Sequence, residues 1–430
     1  MKVQEQESRS TLYHKVNKKS KNMTQNKLAY FGGEKTVKKE FPWPVYSDEE
    51  KKLIVKVVES GEWGKSSNPD NYVTKFENAF ANYIGVKHAV AMVNGSVALR
   101  LSLLAFGVRP GDEVIVPPMT FIATASIVVE ANSIPVFVDI DPATYNIDPD
   151  KIESAITPRT RAIIPVHFGG HACEMDKIMA IAKRHKIAII EDACHAHGAE
   201  YKGTKLGSIG DAGCFSFQSS KNLTCGEGGI AVTNDDALFE MIKSLHNCGR
   251  KTGREWYEHF NLGCNYRMTQ FQAAILLCQM ERLKEQTERR NENGLYLNEL
   301  LKKVEGITPL RAGSEITLHS YHVYPFRYDK SKFHNLPKSK FALLLAAEGV
   351  PCFMGYPEPL YRQPVFKEKN FLSYAIPEYV NYSDVHCPEC EKACYEEGMW
   401  ISQNALLGTK KDMESFVMAI KKIQNEKVVF

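Results

Sequence analysis

The chain predicts an α/β protein in which a mostly parallel sheet carries helices on both faces, followed by a second, smaller α+β unit. Three features carry that expectation. Short apolar runs alternate with helical patterns through the first half of the sequence. The runs are apolar almost throughout, as in strands buried on both faces. After Gly249 the texture changes, and a long helical pattern starting near Thr269 leads into a new region.

In order, residues 1–26 are polar, with Lys15, Lys18, Lys19 and Lys21 and little to pack, and read as a mobile tail. Patterned sequence begins at Lys27. Ser47, with Glu50 three residues on, is a capping box for a helix bearing Leu53, Ile54, Val57 and Val58. It stops at Gly61, and Trp63 follows in a Gly- and Ser-rich loop. Strands are expected at His88–Val93, Glu113–Val116, Val136–Asp139, Ala162–Val166 and Ile187–Ile190, with helices carrying Leu99, Leu103, Ile122, Val129, Ile178 and Ile181 between them. The stretches Asp211–Phe217 and Gly229–Thr233 add two short strands joined by a polar loop. The long helix spans Thr269–Arg290, with Phe271, Ile275, Cys278 and Leu283 facing inward. Beyond it, 321–328 alternates like a strand, and Lys338–Glu348 and Lys410–Asn425 read as helices. The expected division is a large unit over 27–285 and a small one over 286–430.

Composition narrows the function. The 430 residues are 43% hydrophobic and 10% aromatic, as in globular enzymes. With 54 basic and 51 acidic residues the net charge is +3, which supplies no field for nucleic acid or an anionic membrane. Eleven cysteines lie without repeated spacing, and no signal peptide or membrane-length apolar run is evident, so a cytoplasmic location is expected.

In such a sheet, ligands bind outside the carboxyl ends of the strands, and several residues fall there. Lys221 stands in Ser219-Ser220-Lys221-Asn222 between two apolar strands; it is either a solvated loop lysine or a desolvated amine fit to form a Schiff base. Asn94-Gly95-Ser96 is a strand-to-helix turn of the kind that cradles phosphate, and also a common turn. Asp192 ends an apolar strand, where it either caps the next helix or pairs with a cation such as a protonated pyridine nitrogen. His195 would steady a ring or serve structure, and Phe121 would lie on a ring or fill the core. The Ser216 hydroxyl, five residues before Lys221, is within reach of a phosphate. Pyridoxal phosphate (PLP) would use all of these.

Other templates fit less well. No G-x-x-x-x-G-K-[ST] is present, and Gly226-Glu227-Gly228-Gly229 lacks the dinucleotide spacing, which disfavours a dehydrogenase. Cys387 and Cys390, with His386 and Cys394 nearby, form a single pair rather than a four-ligand zinc set, so no metal is expected. His167 and His171 flank Gly169-Gly170, which argues against a helical ligand pair.

With Asn94-Gly95-Ser96, Gly111-Asp112-Glu113-Val114-Ile115-Val116-Pro117, Thr120-Phe121, Glu191-Asp192-Ala193, Ser216–Lys221 and Asn265-Tyr266-Arg267-Met268 in this order, the chain from Lys27 onward resembles the DegT/DnrJ/EryC1/StrS family of sugar and cyclitol aminotransferases. The resemblance implies the type I (aspartate aminotransferase-like) PLP fold and transaminase activity. It implies that Lys221 is the Schiff-base lysine and proton shuttle, Asp192 the partner of the pyridine nitrogen, His195 a neighbour of the ring hydroxyl and Phe121 the stacking ring. Gly95, Ser96 and Ser216 match phosphate contacts. Asn265 matches a residue reaching the phosphate in a neighbouring subunit, and Arg267 one suited to the donor carboxylate, so a homodimer with shared sites is implied. His322 and Trp63 are further substrate candidates. The branch it looks most like uses glutamine and scyllo-inosose, so glutamine or glutamate is the expected donor and a cyclitol or ketosugar, free or nucleotide-linked, the acceptor. Sugar dehydratases of the family carry histidine in place of the lysine; a catalytically silent relative is the other alternative.

Overall fold

Seven strands form the central sheet of this computed structural model, which describes residues 27–65 and 70–426. The tail expected over 1–26 lies outside the described residues. The chain lays down β1 (His88–Met92), β2 (Glu113–Val116), β3 (Ile134–Phe137), β4 (Thr160–Ile163), β5 (Ala188–Asp192), the small hairpin β6 (Glu200–Tyr201) and β7 (Thr204–Lys205), then β8 (Ala212–Ser216) and β9 (Gly229–Thr233). The sheet order is β1-β9-β8-β5-β4-β2-β3. Pairings from β3 through β8 are parallel, and only β9 runs against its neighbours β8 and β1. The mostly parallel sheet expected from the apolar runs is therefore present.

Two strands start two residues earlier than their apolar runs suggest. β3 includes Pro135, which a central strand would reject because proline cannot donate to the ladder. Its place at the sheet edge makes this harmless, since one side of β3 has no neighbour. β4 begins at Thr160, and Val166 returns to the sheet only as an isolated bridge to Asp192.

Helices α1 (Asp48–Ser60), α2 (Tyr72–Ile84), α3 (Gly95–Ala105), α4 (Ala123–Glu130), α5 (Met175–His185) and α6 (Asp236–His246) accompany the sheet. α1 carries the expected capping box between Ser47 and Glu50. One sheet face buries Leu99, Leu103, Val128 and Ile242, the other Phe76, Phe80, Ile178 and Phe215, giving three layers.

Helix α7 (Gln270–Leu301) runs eleven residues past its expected end at Arg290. Asn293 and Gly294 look like breakers, but here they dock the helix. Asn293 Nδ2 donates to the carbonyls of Leu406 and Gly408, and a Cβ at Gly294 would meet the Tyr321 ring at 2.3 Å. The inward face also differs from the expected one: Ala273, Leu276, Cys278 and Leu283 are buried, whereas Phe271 and Ile275 are only partly covered.

The second sheet, β10 (Ile307–Pro309), β12 (Val323–Tyr328), β14 (Gly398–Ser402) and β13 (Cys352–Phe353) in spatial order, is antiparallel, while β11 (Ile316–Leu318) pairs with β6. It packs with α8 (Lys338–Ala347), α9 (Lys410–Asn425) and the end of α7 around Leu297, Phe326, Phe341, Phe416 and Ile420. Leu28 and Val37 join this core, whereas Tyr361, Phe366, Tyr382, Cys390 and Cys394 pack against the first sheet.

Glu348, at the end of α8, fastens the segment 29–36 to this unit. It is fully buried and accepts from Ala29 N at 2.7 Å, Thr36 N at 3.1 Å, Thr36 Oγ1 at 2.6 Å and Lys422 Nζ at 3.0 Å. Burial opposes its ionisation, but the donors of Thr36, Ala29 and Lys422 outweigh it and hold the pKa below the ordinary range. A Glu348→Ala variant leaves three donors unpaired and Lys422 with only the Glu34 carbonyl in place of a carboxylate, and should lose about 3–5 kcal/mol of stability in urea unfolding; an unchanged midpoint would contradict this account of the fastening.

Candidate active site

The site is built at the carboxyl end of β5, where Glu191 and Asp192 diverge because side chains alternate along a strand. Glu191 is consumed by structure. Fully buried, it accepts from Gly207 N at 2.8 Å, Ile209 N at 2.7 Å, Gly210 N at 2.6 Å and His167 Nε2 at 2.9 Å. Asp192 lines a cavity of about 540 Å3. Thr124 Oγ1 donates to its Oδ2 at 2.8 Å and Cys194 N to its Oδ1 at 3.2 Å, leaving acceptor capacity for a cationic partner.

Opposite stands the N-terminus of α3. Asn94 caps it, accepting from Val97 N at 2.9 Å, and the leading N–H groups of Gly95 and Ser96 lack intrahelical acceptors. Such an end attracts an anion. Backbone crowding makes glycine necessary here: a Cβ on Gly95 would meet Ser216 Cβ at 2.8 Å, and one on Gly229 would meet the Asn94 carbonyl carbon at 2.2 Å. Gly95, Ser96 and Ser216 are thereby brought to one edge of the cavity.

The loop after β8 carries Lys221 into the same space. Lys221 N donates to Gln218 O at 2.9 Å, Ser220 N and Oγ both donate to Gln218 Oε1, and Asn222 Nδ2 donates to Ser320 O at 2.8 Å. Loop geometry is thus fixed on both sides of the lysine. The amine forms no hydrogen bond or ion pair with a described residue. Burial lowers its pKa, and the neighbouring Cys194 and Asp192 only partly restore it.

His195 stacks on His322 with ring centroids 4.3 Å apart, and Gly169 N donates to its Nδ1 at 3.4 Å, which leaves the proton of the neutral ring on Nε2. Phe121, 59% exposed, offers its ring at the cavity wall. Lys221, Asp192, Gly95, Ser96, Phe121, His195, Ser216 and His322 therefore share one cavity. Trp63, Asn265 and Arg267 do not line it. Trp63 rests on Phe271 and is 54% exposed, Asn265 is exposed, and Arg267 Nη1 donates to Asn247 Oδ1 at 2.8 Å.

Sequence reasoning passed over Thr124 and Tyr356. The hydroxyl pair Thr120 and Thr124, at i and i+4 and 3.1 Å apart, brackets Phe121 in the sequence. Tyr356 enters from the second unit, and no local pattern signals it.

A parallel sheet wound in this order, with a desolvated lysine facing a carboxylate and a helix N-terminus, defines the aminotransferase architecture of fold type I. The family model of the DegT/DnrJ/EryC1/StrS aminotransferases matches residues 45–389, and the chain belongs to that family. It is similar to the L-glutamine:2-deoxy-scyllo-inosose aminotransferase of Streptoalloteichus tenebrarius, 36% identical over 402 residues that make up 89% of this chain and 94% of that protein. Among solved structures it resembles 3-amino-5-hydroxybenzoic acid synthase, with a TM-score of 0.81 and 32% identity over 89% of this chain and 98% of that one. It also resembles S. venezuelae DesV in complex with a ketimine intermediate, with a TM-score of 0.77 and 30% identity over 88% and 95%. The protein is an aminotransferase.

Several histidines around the site are buried and neutral. Burial, then the Lys221 charge, depresses His195 and brings His197 to about 3; burial, then His195 and Lys221, depresses His322. The unfolded chain takes up these protons near pH 6.5 and the folded chain does not, so stability should fall as pH drops from about 6.5 toward 4, by up to about 1.4 kcal/mol per unit for each group. Urea midpoints that stayed flat over this window would contradict the burial of these rings.

Proposed function

We propose that the chain is a PLP-dependent aminotransferase that moves an amino group from glutamine or glutamate to the ketone of a cyclitol or ketosugar. The observation that carries the reading is the lowered pKa of a half-buried Lys221 in one cavity with Asp192 and the α3 N-terminus. The cavity fits PLP by its chemistry: free N–H groups and the Ser96 and Ser216 hydroxyls suit a phosphate, Asp192 a protonated pyridine nitrogen, and the exposed Phe121 ring a flat face. When bound, PLP supplies an electron sink for the carbon that loses its proton.

The chain's own groups do the rest. Asp192, steadied by Thr124, would keep the pyridine nitrogen protonated. Lys221 Nζ, its pKa lowered by burial, would hold the cofactor at rest, take the proton from the donor's Cα, and in the second half deliver one to the acceptor's former carbonyl carbon. His195, with its proton on Nε2, would serve as a donor to the ring hydroxyl. Lysine at this position argues against the dehydratase alternative. The relative named for glutamine and 2-deoxy-scyllo-inosose supports the choice of donor and acceptor class.

Asn265, Arg267 and Trp63 serve, in this reading, a neighbouring copy's cavity. They stand outside their own, and the nearby Trp256, Tyr257 and Leu262 expose apolar surface that a homodimer would cover.

Lys221→Ala should cut amination of scyllo-inosose with glutamine by at least about 10³-fold while the protein remains folded by circular dichroism. Turnover within tenfold of the parent would refute the role given to Lys221.

A further inference from the structure

Beside the Lys221 cavity lies an annex of about 340 Å3, joined to it through His195, Ser220, His322 and Tyr356. Trp43, Phe353, Tyr356 and Trp400 give it aromatic walls, and none of its described lining residues is an acid, a lysine or an arginine. It is not dry, however. Ser402 Oγ and His322 Nδ1 are buried without a hydrogen-bond partner among the described residues, and His322 is only 8% exposed.

A third polar group is oriented from behind. Arg290 on α7 is completely buried, and its Nε and Nη2 donate to Gln403 Oε1 at 2.9 and 2.6 Å. Two donors on one oxygen fix the amide, so Gln403 presents Nε2, which donates to no described residue. The Arg290 guanidinium also lies 5.3 Å from the Trp43 ring, and Trp43 Nε1 donates to Ser219 O at 2.9 Å, two residues from Lys221. Burying a guanidinium without a carboxylate is costly. Here the cost supports one amide and one indole at the annex wall.

Uncharged aromatic walls with a few unpaired polar groups suit a ring that has C–H faces and a rim of hydroxyls. They do not suit the α-carboxylate of an amino donor or a diphosphate, neither of which would find a cation there. We propose that the annex is the subsite for the acceptor's polyhydroxylated six-membered ring. Gln403 Nε2 donates to one ring substituent, and Arg290 is the positioning residue that holds Gln403. This rests on the aminotransferase reading above. A nucleotide-linked acceptor would keep its diphosphate outside the annex.

The test compares the parent holoenzyme with Gln403→Ala, Arg290→Met and the double variant. Acceptors are scyllo-inosose and a nucleotide-linked 4-ketohexose; scyllo-inositol, which lacks the ketone, is titrated against tryptophan fluorescence. Gln403→Ala should raise the acceptor KM about tenfold with kcat within about twofold, weaken scyllo-inositol binding to the same degree, and spare the glutamine half-reaction. Arg290→Met should act in the same direction, and the double variant should be no worse than Gln403→Ala. Should Arg290→Met fail to fold, Gln403→Ala decides alone. If the parent aminates an acceptor and Gln403→Ala leaves its KM unchanged, or slows the glutamine half-reaction equally, the annex assignment is overturned. If the parent carries out the glutamine half-reaction but aminates neither class of acceptor, the acceptor class proposed above falls and takes this assignment with it.

Discussion

The site depends on holding a half-buried amine and a buried carboxylate at the end of a parallel sheet without letting either collapse into the scaffold. The Lys221 amine makes no hydrogen bond to a described residue, and Asp192 is only partly satisfied, by Thr124 and Cys194. Groups held like this are expensive. The fold bears the cost through neighbours that are fully satisfied. Glu191 takes four donors, the Lys221 loop is tied through Gln218 and Asn222, and the stacked pair His195 and His322 stays neutral. Chemistry is concentrated on side chains that the structure leaves unfinished.

Close backbone approach is the second requirement. The helix terminus at Gly95 reaches the cavity because Gly95 and Gly229 let α3, β8 and β9 meet with no room for a Cβ. The reversed strand β9 follows from the same need: the chain must leave the Lys221 loop and pass back beside β8 and β1. The second unit then closes the space with His322 and Tyr356, and its β14 and the residues after it bring Trp400 and Gln403 to the annex.

Much of this was legible in sequence. The strand-helix alternation gave the sheet, since fully apolar runs have few other uses, and the Ser47–Glu50 box placed α1. The individual motifs at Gly95, Asp192, Ser216 and Lys221 were ambiguous, and each had an ordinary structural alternative; their placement at strand ends put them in one cavity. What remained hidden was set by tertiary contact. Pro135 sits in a strand because that strand is an edge, and Gly294 sits inside a helix because Tyr321 needs the room. Tyr356, Arg290 and Gln403 come from segments with no local signature of a site. Trp63, Asn265 and Arg267 stand outside the cavity of their own chain, where a single copy assigns them no ligand.

The central claim is that the cofactor is carried on Lys221. Borohydride reduction of the holoenzyme followed by peptide mass spectrometry tests it most directly. The account predicts a reduced pyridoxyl group on the peptide containing Lys221 and loss of that label after prior conversion with glutamine. A label on another lysine, or none on a protein that binds PLP, would contradict it.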